Sequence, residues 1–328
     1  MAPDLDALVV GLERGERRAL ARLLTVVEDG SPEQLRHVVR ALHPRAGTAR
    51  VLGISGSPGV GKSTLTDAIA TDLRAVGRTV AVLAVDPSSP FTGGALLGDR
   101  IRMQGHHADA GVFIRSMASR GHLGGLSFAT PQAVLVLDAA GFDDVIIETV
   151  GVGQSEVEIA ATADTTVIAL APGMGDGVQA AKAGILEIAD VFVINKADAP
   201  GAGRLASELG GMLEMGHASA GAQDPDGWWP PILRTVAVRA EGIGEVLAAI
   251  DEHTRFLQAH GVGAERRHAR ARHLVRELAL ESTRRTFARL EEGEDGLLDR
   301  LAGRVEARDV DPYTAADELL AASRIAAS

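Results

Sequence analysis

The sequence predicts an α/β fold in which a mostly parallel β-sheet is covered by helices. Short runs rich in Val, Ile and Thr are apolar on both faces, as strands of a sheet covered on both sides are. Helical stretches separate consecutive runs, and this alternation is typical of parallel strands joined by crossover helices. The runs cover residues 51–54, 79–85, 112–115, 145–148, 166–170, 191–195 and 232–236. Because such sheets bind ligands at the carboxyl ends of their strands, we expect the functional residues just after these runs.

A helical segment precedes the sheet and covers residues 1–47. Apolar residues at helical spacing predict two helices within the first 30 residues. Ser31 is then a candidate N-cap, Pro32 suits the first helical position, and Gln34 is a candidate capping-box partner. These signals predict a third helix that ends near Leu42.

A second helical segment, residues 259–328, follows the central domain of residues 48–258. It is rich in Arg, Glu and Ala and carries a stripe of apolar positions. A stripe on an element too small for its own core must pack on the main domain or on another subunit. The pattern by itself favours packing on the main domain.

The composition excludes several classes of function. The chain has no cysteine, so disulfides, Cys-ligated metals and thiol nucleophiles are excluded. A net charge of −11 argues against nucleic acid and against an anionic membrane as partners. Residues 1–16 carry charges where a secretory signal needs an apolar stretch, so we expect a cytoplasmic protein.

Residues 56–63 match the GxxxxGK[ST] pattern of a phosphate-binding loop, the P-loop, placed between a strand run and a helical stretch. The loop consists of Gly56, Ser57, Pro58, Gly59, Val60, Gly61, Lys62 and Ser63. Thr64, which follows directly, is a further candidate contact of the nucleotide. The glycines let backbone N–H groups face a β-phosphate, Lys62 supplies charge to the β- and γ-phosphates, and Ser63 can ligate Mg²⁺. The pattern predicts a P-loop NTPase.

Residues 195–198 match NKxD at the end of a later strand run. The carboxylate of Asp198 can accept hydrogen bonds from N1–H and the 2-amino group of guanine, which adenine does not offer. Asn195, Lys196 and Asp198 therefore predict GTP and GDP as ligands rather than ATP. Residues 235–242 lie where such proteins place a second loop against the base, which makes Val236, Ala237 and Val238 candidate contacts. Val236 stands where serine is usual.

Three carboxylates between these motifs are candidates for the metal and the γ-phosphate: Asp86, Asp99 and Glu148. Mg²⁺ prefers a few hard oxygen ligands plus water, so we expect it to be held by Ser63 and these carboxylates, directly or through water. We assign the catalytic roles to Lys62, Asp99 and Glu148.

Residues 148–151 are placed like the switch motif of GTPases, whose glycine N–H meets the γ-phosphate; here that glycine is Gly151. Val152 follows where small GTPases carry a glutamine that orients water. We therefore expect slow GTP hydrolysis without a partner.

Several longer motifs carry a family resemblance. They are GSPGVGKST, VDPSSP (85–90), GGALLGDRIRM (93–103), SRGHLGGLS (119–127), ETVGVGQSE (148–156) and NKAD. With these motifs the chain resembles the MeaB/ArgK/MMAA-like P-loop GTPases, the GTPases associated with methylmalonyl-CoA mutase.

The resemblance implies a GTPase chaperone of an adenosylcobalamin-dependent acyl-CoA mutase, which gates cofactor loading and protects the mutase from inactivation. It implies that Asp176, Gln179 and Lys182 form a switch that communicates with the mutase. It also implies a homodimer through residues 259–328, against the packing that the apolar pattern favours. The cobalamin would belong to the partner, and the identity of the client mutase stays open.

Three other functions stay open at this point. A nickel-insertion GTPase shares the P-loop architecture but needs Cys and His ligands. A kinase linked to arginine and ornithine transport needs an acceptor site and a catalytic base, and no motif for either is visible. A nucleotide-binding module without hydrolysis is the simplest alternative.

Overall fold

In the part of the chain that the computed structural model describes, seven parallel strands form one sheet, which confirms the predicted fold class. The structure describes residues 3–87, 104–106, 108–119, 129–149, 159–173, 186–219, 227–292 and 296–326. The strands are β1 (Arg50–Ser55), β2 (Val80–Pro87), β3 (Val112–Ser119), β4 (Asp144–Thr149), β5 (Thr165–Leu170), β6 (Val191–Ile194) and β7 (Ile232–Arg234). Their spatial order is β3-β2-β4-β1-β5-β6-β7. β1 therefore lies at the centre, and its carboxyl end is flanked by those of β4 and β5.

Each predicted run overlaps one observed strand. The seventh strand is shorter than predicted and ends at Arg234. The cause is that the backbone of Val236 pairs with Glu241 rather than continuing along β6. The chain thereby leaves the sheet and turns at its carboxyl edge.

Helices precede the sheet, cover its faces and follow it. They are α1 (Leu5–Glu13), α2 (Arg17–Asp29), α3 (Pro32–Leu42), α4 (Lys62–Ala75), α5 (Thr130–Ala139), α6 (Ala202–Ser219), α7 (Ile243–Ala259), α8 (Val262–Glu292), α9 (Leu297–Glu306) and α10 (Pro312–Ala326). None of the helices in the described ranges is both long enough and apolar enough to cross a bilayer.

Alternation along β2 shows how both faces are buried. Val82 belongs to one core with α4 and α7, represented by Ile69 and Ile250. Leu83, the next residue, belongs to a second core that contains Leu24 of α2 and Leu137 of α5. Successive side chains of a strand point to opposite faces, so both faces of β2 are covered, as the unbroken apolar runs predict.

The N-terminal helices begin as their sequence signals predict. The Ser31 side chain accepts a hydrogen bond from the Gln34 backbone N–H, and the Gln34 side chain accepts one from the Ser31 N–H. Both bonds of the capping box are present. α2 is tied to β3 by an ion pair between Glu28 and Arg115 at 2.8 Å.

The chain forms two compact units, residues 1–266 and 267–328. The first contains the whole sheet. In the second, Leu301 and Ala315 are buried, and Arg304 of α9 forms an ion pair with Glu318 of α10 at 2.6 Å. The second unit is therefore helical, as the predicted arm is.

Candidate nucleotide site

Three glycines shape the loop between β1 and α4. Gly56, Gly59 and Gly61 have φ angles of 143°, 80° and 95°. A Cβ on Gly56 would lie 2.1 Å from the Ala169 carbonyl oxygen, and one on Gly61 would lie 2.5 Å from Asn195 Nδ2. Only glycine combines this backbone with such close neighbours, so the loop curls back over the end of β1.

Lys62 is the first residue of α4 and is buried. Its ammonium donates to the carbonyls of Gly56 at 2.8 Å and of Ser57 at 3.1 Å. The positive charge is therefore held inside the curve of the loop, at the amino end of a helix. This arrangement suits the binding of a phosphate chain.

Ser63 and Glu148 meet although they lie 85 residues apart in the chain. The Ser63 hydroxyl donates to Glu148 Oε1 at 2.7 Å, and both side chains are buried. Next to them, Thr149 donates to Ser55 Oγ at 2.9 Å and joins the ends of β4 and β1. A hydroxyl and a carboxylate at this point are hard oxygen donors, so the residues fit Mg²⁺, which completes its shell with water and phosphate oxygens.

Asn195 connects the phosphate side of the site to the base side. Its Nδ2 donates to the Val60 carbonyl at 2.9 Å. Its Oδ1 accepts from the Thr235 hydroxyl and from the Ala237 backbone N–H, each at 3.1 Å. Lys196, at φ 55°, adds a second link by donating to the Gly59 carbonyl at 2.8 Å. The NKxD motif is thus hydrogen-bonded to the P-loop and to residues 235–242, here called the base loop. These bonds fix the positions of the two loops relative to each other.

The base loop has a valine, Val236, where a serine hydroxyl is usual, so it offers the base backbone groups and charged side chains instead. Val236 and Ala237 are buried, whereas Val238 is exposed. The Ala237 N–H is used by Asn195, and the Val236 side chain has no donor. The three residues that the sequence predicted as base contacts, Val236, Ala237 and Val238, therefore lie together beside the NKxD motif.

Arg239 is a residue of this site that the sequence reasoning missed. Its Nη1 donates to Asp198 Oδ2 at 3.1 Å, and its Nε donates to Glu241 Oε1 at 2.6 Å. An arginine two residues before a glutamate in the base loop is the signal that could have found it. The ion pairs with Glu241 and Asp198 raise the pKa of Arg239, and the hydrogen bond from Arg239 lowers the pKa of Glu241.

Other predicted site residues lie outside the described part of the chain: Asp99, Gly151, Asp176, Gln179 and Lys182. Of Asp86 the structure describes only the backbone, which pairs with Ala118 of β3 near the carboxyl end of β2. Within the described ranges, no three His, Asp or Glu side chains come together as a metal site would need. The described site therefore consists of the P-loop, Glu148, the NKxD motif and the base loop.

Comparison with known proteins identifies the family of this site. The family model described as methylmalonyl-CoA mutase-associated GTPase MeaB matches residues 20–291. The chain belongs to the MeaB family. The match includes every site residue described above.

Relatives cover most of the MeaB-family chain. A putative GTPase of Pyrococcus abyssi is 47% identical over 96% of this chain and 96% of its own length. GTPase ArgK of Escherichia coli is 40% identical over 76% of each chain. The mouse protein named methylmalonic aciduria type A homolog, mitochondrial, is 35% identical over 84% of this chain and 70% of its own.

A solved structure agrees with this membership. The crystal structure described as LAO/AO transport system kinase covers 97% of this chain and 98% of its own, with a TM-score of 0.68 and 29% identity. The predicted GTPase activity and the GTP or GDP cofactor with Mg²⁺ are therefore confirmed at the level of the family.

Proposed function

We propose that this MeaB-family GTPase is the chaperone of an adenosylcobalamin-dependent acyl-CoA mutase, most simply methylmalonyl-CoA mutase. It gates the loading of the cofactor and protects the mutase from inactivation, with GTP hydrolysis as the timing step. The match of residues 20–291 to a family described by its association with methylmalonyl-CoA mutase carries this proposal. The name of the mouse relative, which refers to methylmalonic aciduria, supports it.

Within this proposal, the site residues that the sequence predicts divide the work. Lys62 neutralises charge on the β- and γ-phosphates, and Ser63 and Glu148 hold Mg²⁺ directly or through water. Asp86 and Asp99 complete the metal site, and Gly151 meets the γ-phosphate. Because charge stabilisation dominates phosphoryl transfer, this set binds and orients GTP but hydrolyses it slowly until a partner completes the site.

We further propose that residues 259–328 form the dimerisation arm. Two apolar residues of the α8 part of the second unit, Val275 and Leu278, lie about one helical turn apart and are exposed by 67% and 39% within one copy of the chain. A second copy of the arm would bury them. Light scattering of the wild type and of a Val275→Glu variant tests this proposal: a dimer that becomes a monomer supports it, and a wild-type monomer contradicts it.

The test of the main function is GTP hydrolysis with and without the client. Phosphate release is followed for the purified protein with Mg²⁺, alone and with methylmalonyl-CoA mutase of the same organism. Acceleration by the mutase, lost in Lys182→Ala while GDP binding stays intact, supports the chaperone role and the switch of Asp176, Gln179 and Lys182. Arg204→Ala on α6 is the control, since this side chain is exposed and pairs only loosely with Glu208 at 3.5 Å.

The same assay separates the alternatives. Unchanged slow hydrolysis and no complex with any cobalamin-dependent mutase would contradict the chaperone role. Transfer of the γ-phosphate to an amino acid or protein would favour the kinase function that the description of the similar crystal structure names. The guanine-selective Asp198 argues against a kinase, because adenine offers that carboxylate no matching donors.

A further inference from the structure

The inference concerns Arg239 and depends on guanine-nucleotide binding alone, independently of any mutase. The Arg239 guanidinium joins two carboxylates of the base side of the site. Nη1 donates to Asp198 Oδ2 at 3.1 Å, while Nε and Nη2 donate to Glu241 Oε1 and Oε2 at 2.6 and 3.2 Å. The three side chains therefore form a continuous line of charge-assisted hydrogen bonds.

The backbone of the base loop fixes the positions of Arg239 and Glu241. Residues Ala237–Arg239 form a single 3₁₀ turn, and Ala240 follows in the left-handed region at φ 53°. The Val236 N–H then donates to the Glu241 carbonyl at 3.0 Å, which closes the turn. Arg239 and Glu241 are thus brought to the same side of the loop, where a forked guanidinium can engage both oxygens of a carboxylate.

Asp198 needs such a partner because its side chain is 47% exposed. An exposed carboxylate rotates among several orientations, yet guanine recognition requires its oxygens to face N1–H and the 2-amino group together. Fixing a group in its binding orientation before the ligand arrives lowers the entropic cost of binding. In the base loop, Val236 has no side-chain donor, and the Ala237 N–H is engaged by Asn195.

We propose that Arg239, anchored by Glu241, is a positioning residue for guanine specificity that holds the Asp198 carboxylate in the orientation that reads the base. Arg239 also separates two carboxylates that would otherwise repel each other across the loop. One oxygen of Asp198 is held by the guanidinium, and the lone pairs directed away from it serve the two donors of the base edge.

The experiment measures the binding of GDP, IDP and ADP to Arg239→Ala by calorimetry or by competition with a fluorescent GDP. IDP keeps the N1–H of guanine but lacks the 2-amino group. We expect GDP to bind about three- to tenfold more weakly, the range typical of one solvent-accessible charge-assisted hydrogen bond. The loss for IDP should be smaller, so the preference for GDP over IDP falls, and weak ADP binding should not change.

Matched variants separate this role from others. Glu241→Gln leaves Arg239 with a weaker anchor and should produce a smaller change of the same sign. In an Asp198→Ala background, Arg239→Ala should add no further loss, because its effect passes through that carboxylate. Arg304→Ala also removes one exposed arginine of an Arg–Glu pair, but from α9 in the second unit, and should leave all three affinities unchanged.

Three results would overturn the proposal. An equal loss for GDP, IDP and ADP would mean that Arg239 acts only as a general positive charge near the nucleotide. Tighter GDP binding would mean that it competes with the base for Asp198. Unchanged affinities with a lower melting temperature would mean that it only stabilises the loop.

Discussion

Asn195 Nδ2 donates to the Val60 carbonyl at 2.9 Å, so one buried side chain joins the guanine motif to the phosphate loop. The same side chain accepts two hydrogen bonds from the base loop through Oδ1. A change at this position therefore affects the phosphate and base sides of the site together.

We expect Asn195→Ala to weaken nucleotide binding and to destabilise the chain. The change leaves the buried Thr235 hydroxyl and Ala237 N–H without their acceptor, at a cost of about 1–3 kcal/mol. Denaturant unfolding with and without GDP measures both effects. Asn195→Asp keeps the acceptor but loses the donor to Val60, so it should stabilise the base loop better than alanine does. Equal unfolding free energies for the wild type and the alanine variant would contradict this view.

Glu148→Gln should reduce GTP hydrolysis about 10- to 100-fold and leave GDP binding in the absence of Mg²⁺ nearly unchanged. The reason is that the amide keeps the shape and the contact with Ser63 but removes the negative charge that a cation requires. Phosphate release measured over a Mg²⁺ titration tests this prediction. Glu245→Gln, at an exposed position in the first turn of α7, is the control. A hydrolysis rate and Mg²⁺ dependence equal to those of the wild type would show that Glu148 is only a buried structural acid.

Gly61→Ala should abolish nucleotide binding. A residue with a Cβ in the left-handed region costs about 1–2 kcal/mol, and this Cβ would also collide with Asn195 Nδ2. Gly211→Ala is the matched control, because Gly211 lies inside α6 with open space around it and should gain about 0.5–1 kcal/mol of stability. Fluorescent GDP binding and thermal unfolding of both variants test the contrast, and normal binding by Gly61→Ala would contradict it.

Acid should remove the stabilising contribution of Asp109, which lies just before β3, the edge strand opposite to β7. The hydrogen bond from Arg74 and that from the Gly111 N–H lower the pKa of Asp109 to about 2. A group whose pKa is lower in the folded chain stabilises it above the ordinary pKa of aspartate, near 4, and loses this effect as the pH falls toward the folded value.

The unfolding free energy measured between about pH 4 and pH 2 tests this contribution. Asp109→Asn should flatten the acid decline in that window relative to the wild type and should not change the slope above about pH 5. An identical acid slope in both proteins would show that other carboxylates cause the decline.

Local patterns predicted most of the fold. The runs that became β1 to β7 were visible because strands buried on both faces are apolar throughout, and Ser31, Pro32 and Gln34 announced the start of α3. The lengths were less well predicted. β7 ends early because the backbone of Val236 pairs with Glu241 instead of continuing along β6. Such a contact across a turn does not change the apolar pattern of the sequence, so the pattern could not predict it.

The candidate site was predicted in its parts but not in its connections. Lys62, Ser63, Glu148 and Asp198 were found because each lies in a short motif or directly at a strand end. The 2.7 Å contact of Ser63 with Glu148 depends on β1 and β4 being neighbours in the sheet, and no local signal encodes strand order. Arg239 was missed because a single arginine in a loop carries no periodicity.

The sequence by itself determined the chemistry that the chain can offer: a P-loop for phosphates, an aspartate for guanine and strands that place both at one edge of a sheet. Only the tertiary structure decided how these parts act together, through Asn195 between the two loops and Arg239 between Asp198 and Glu241. The physical reason is that motifs depend on neighbours in the chain. Hydrogen bonds between side chains depend instead on the order of the strands and on the turns that bring distant residues within 3 Å of each other.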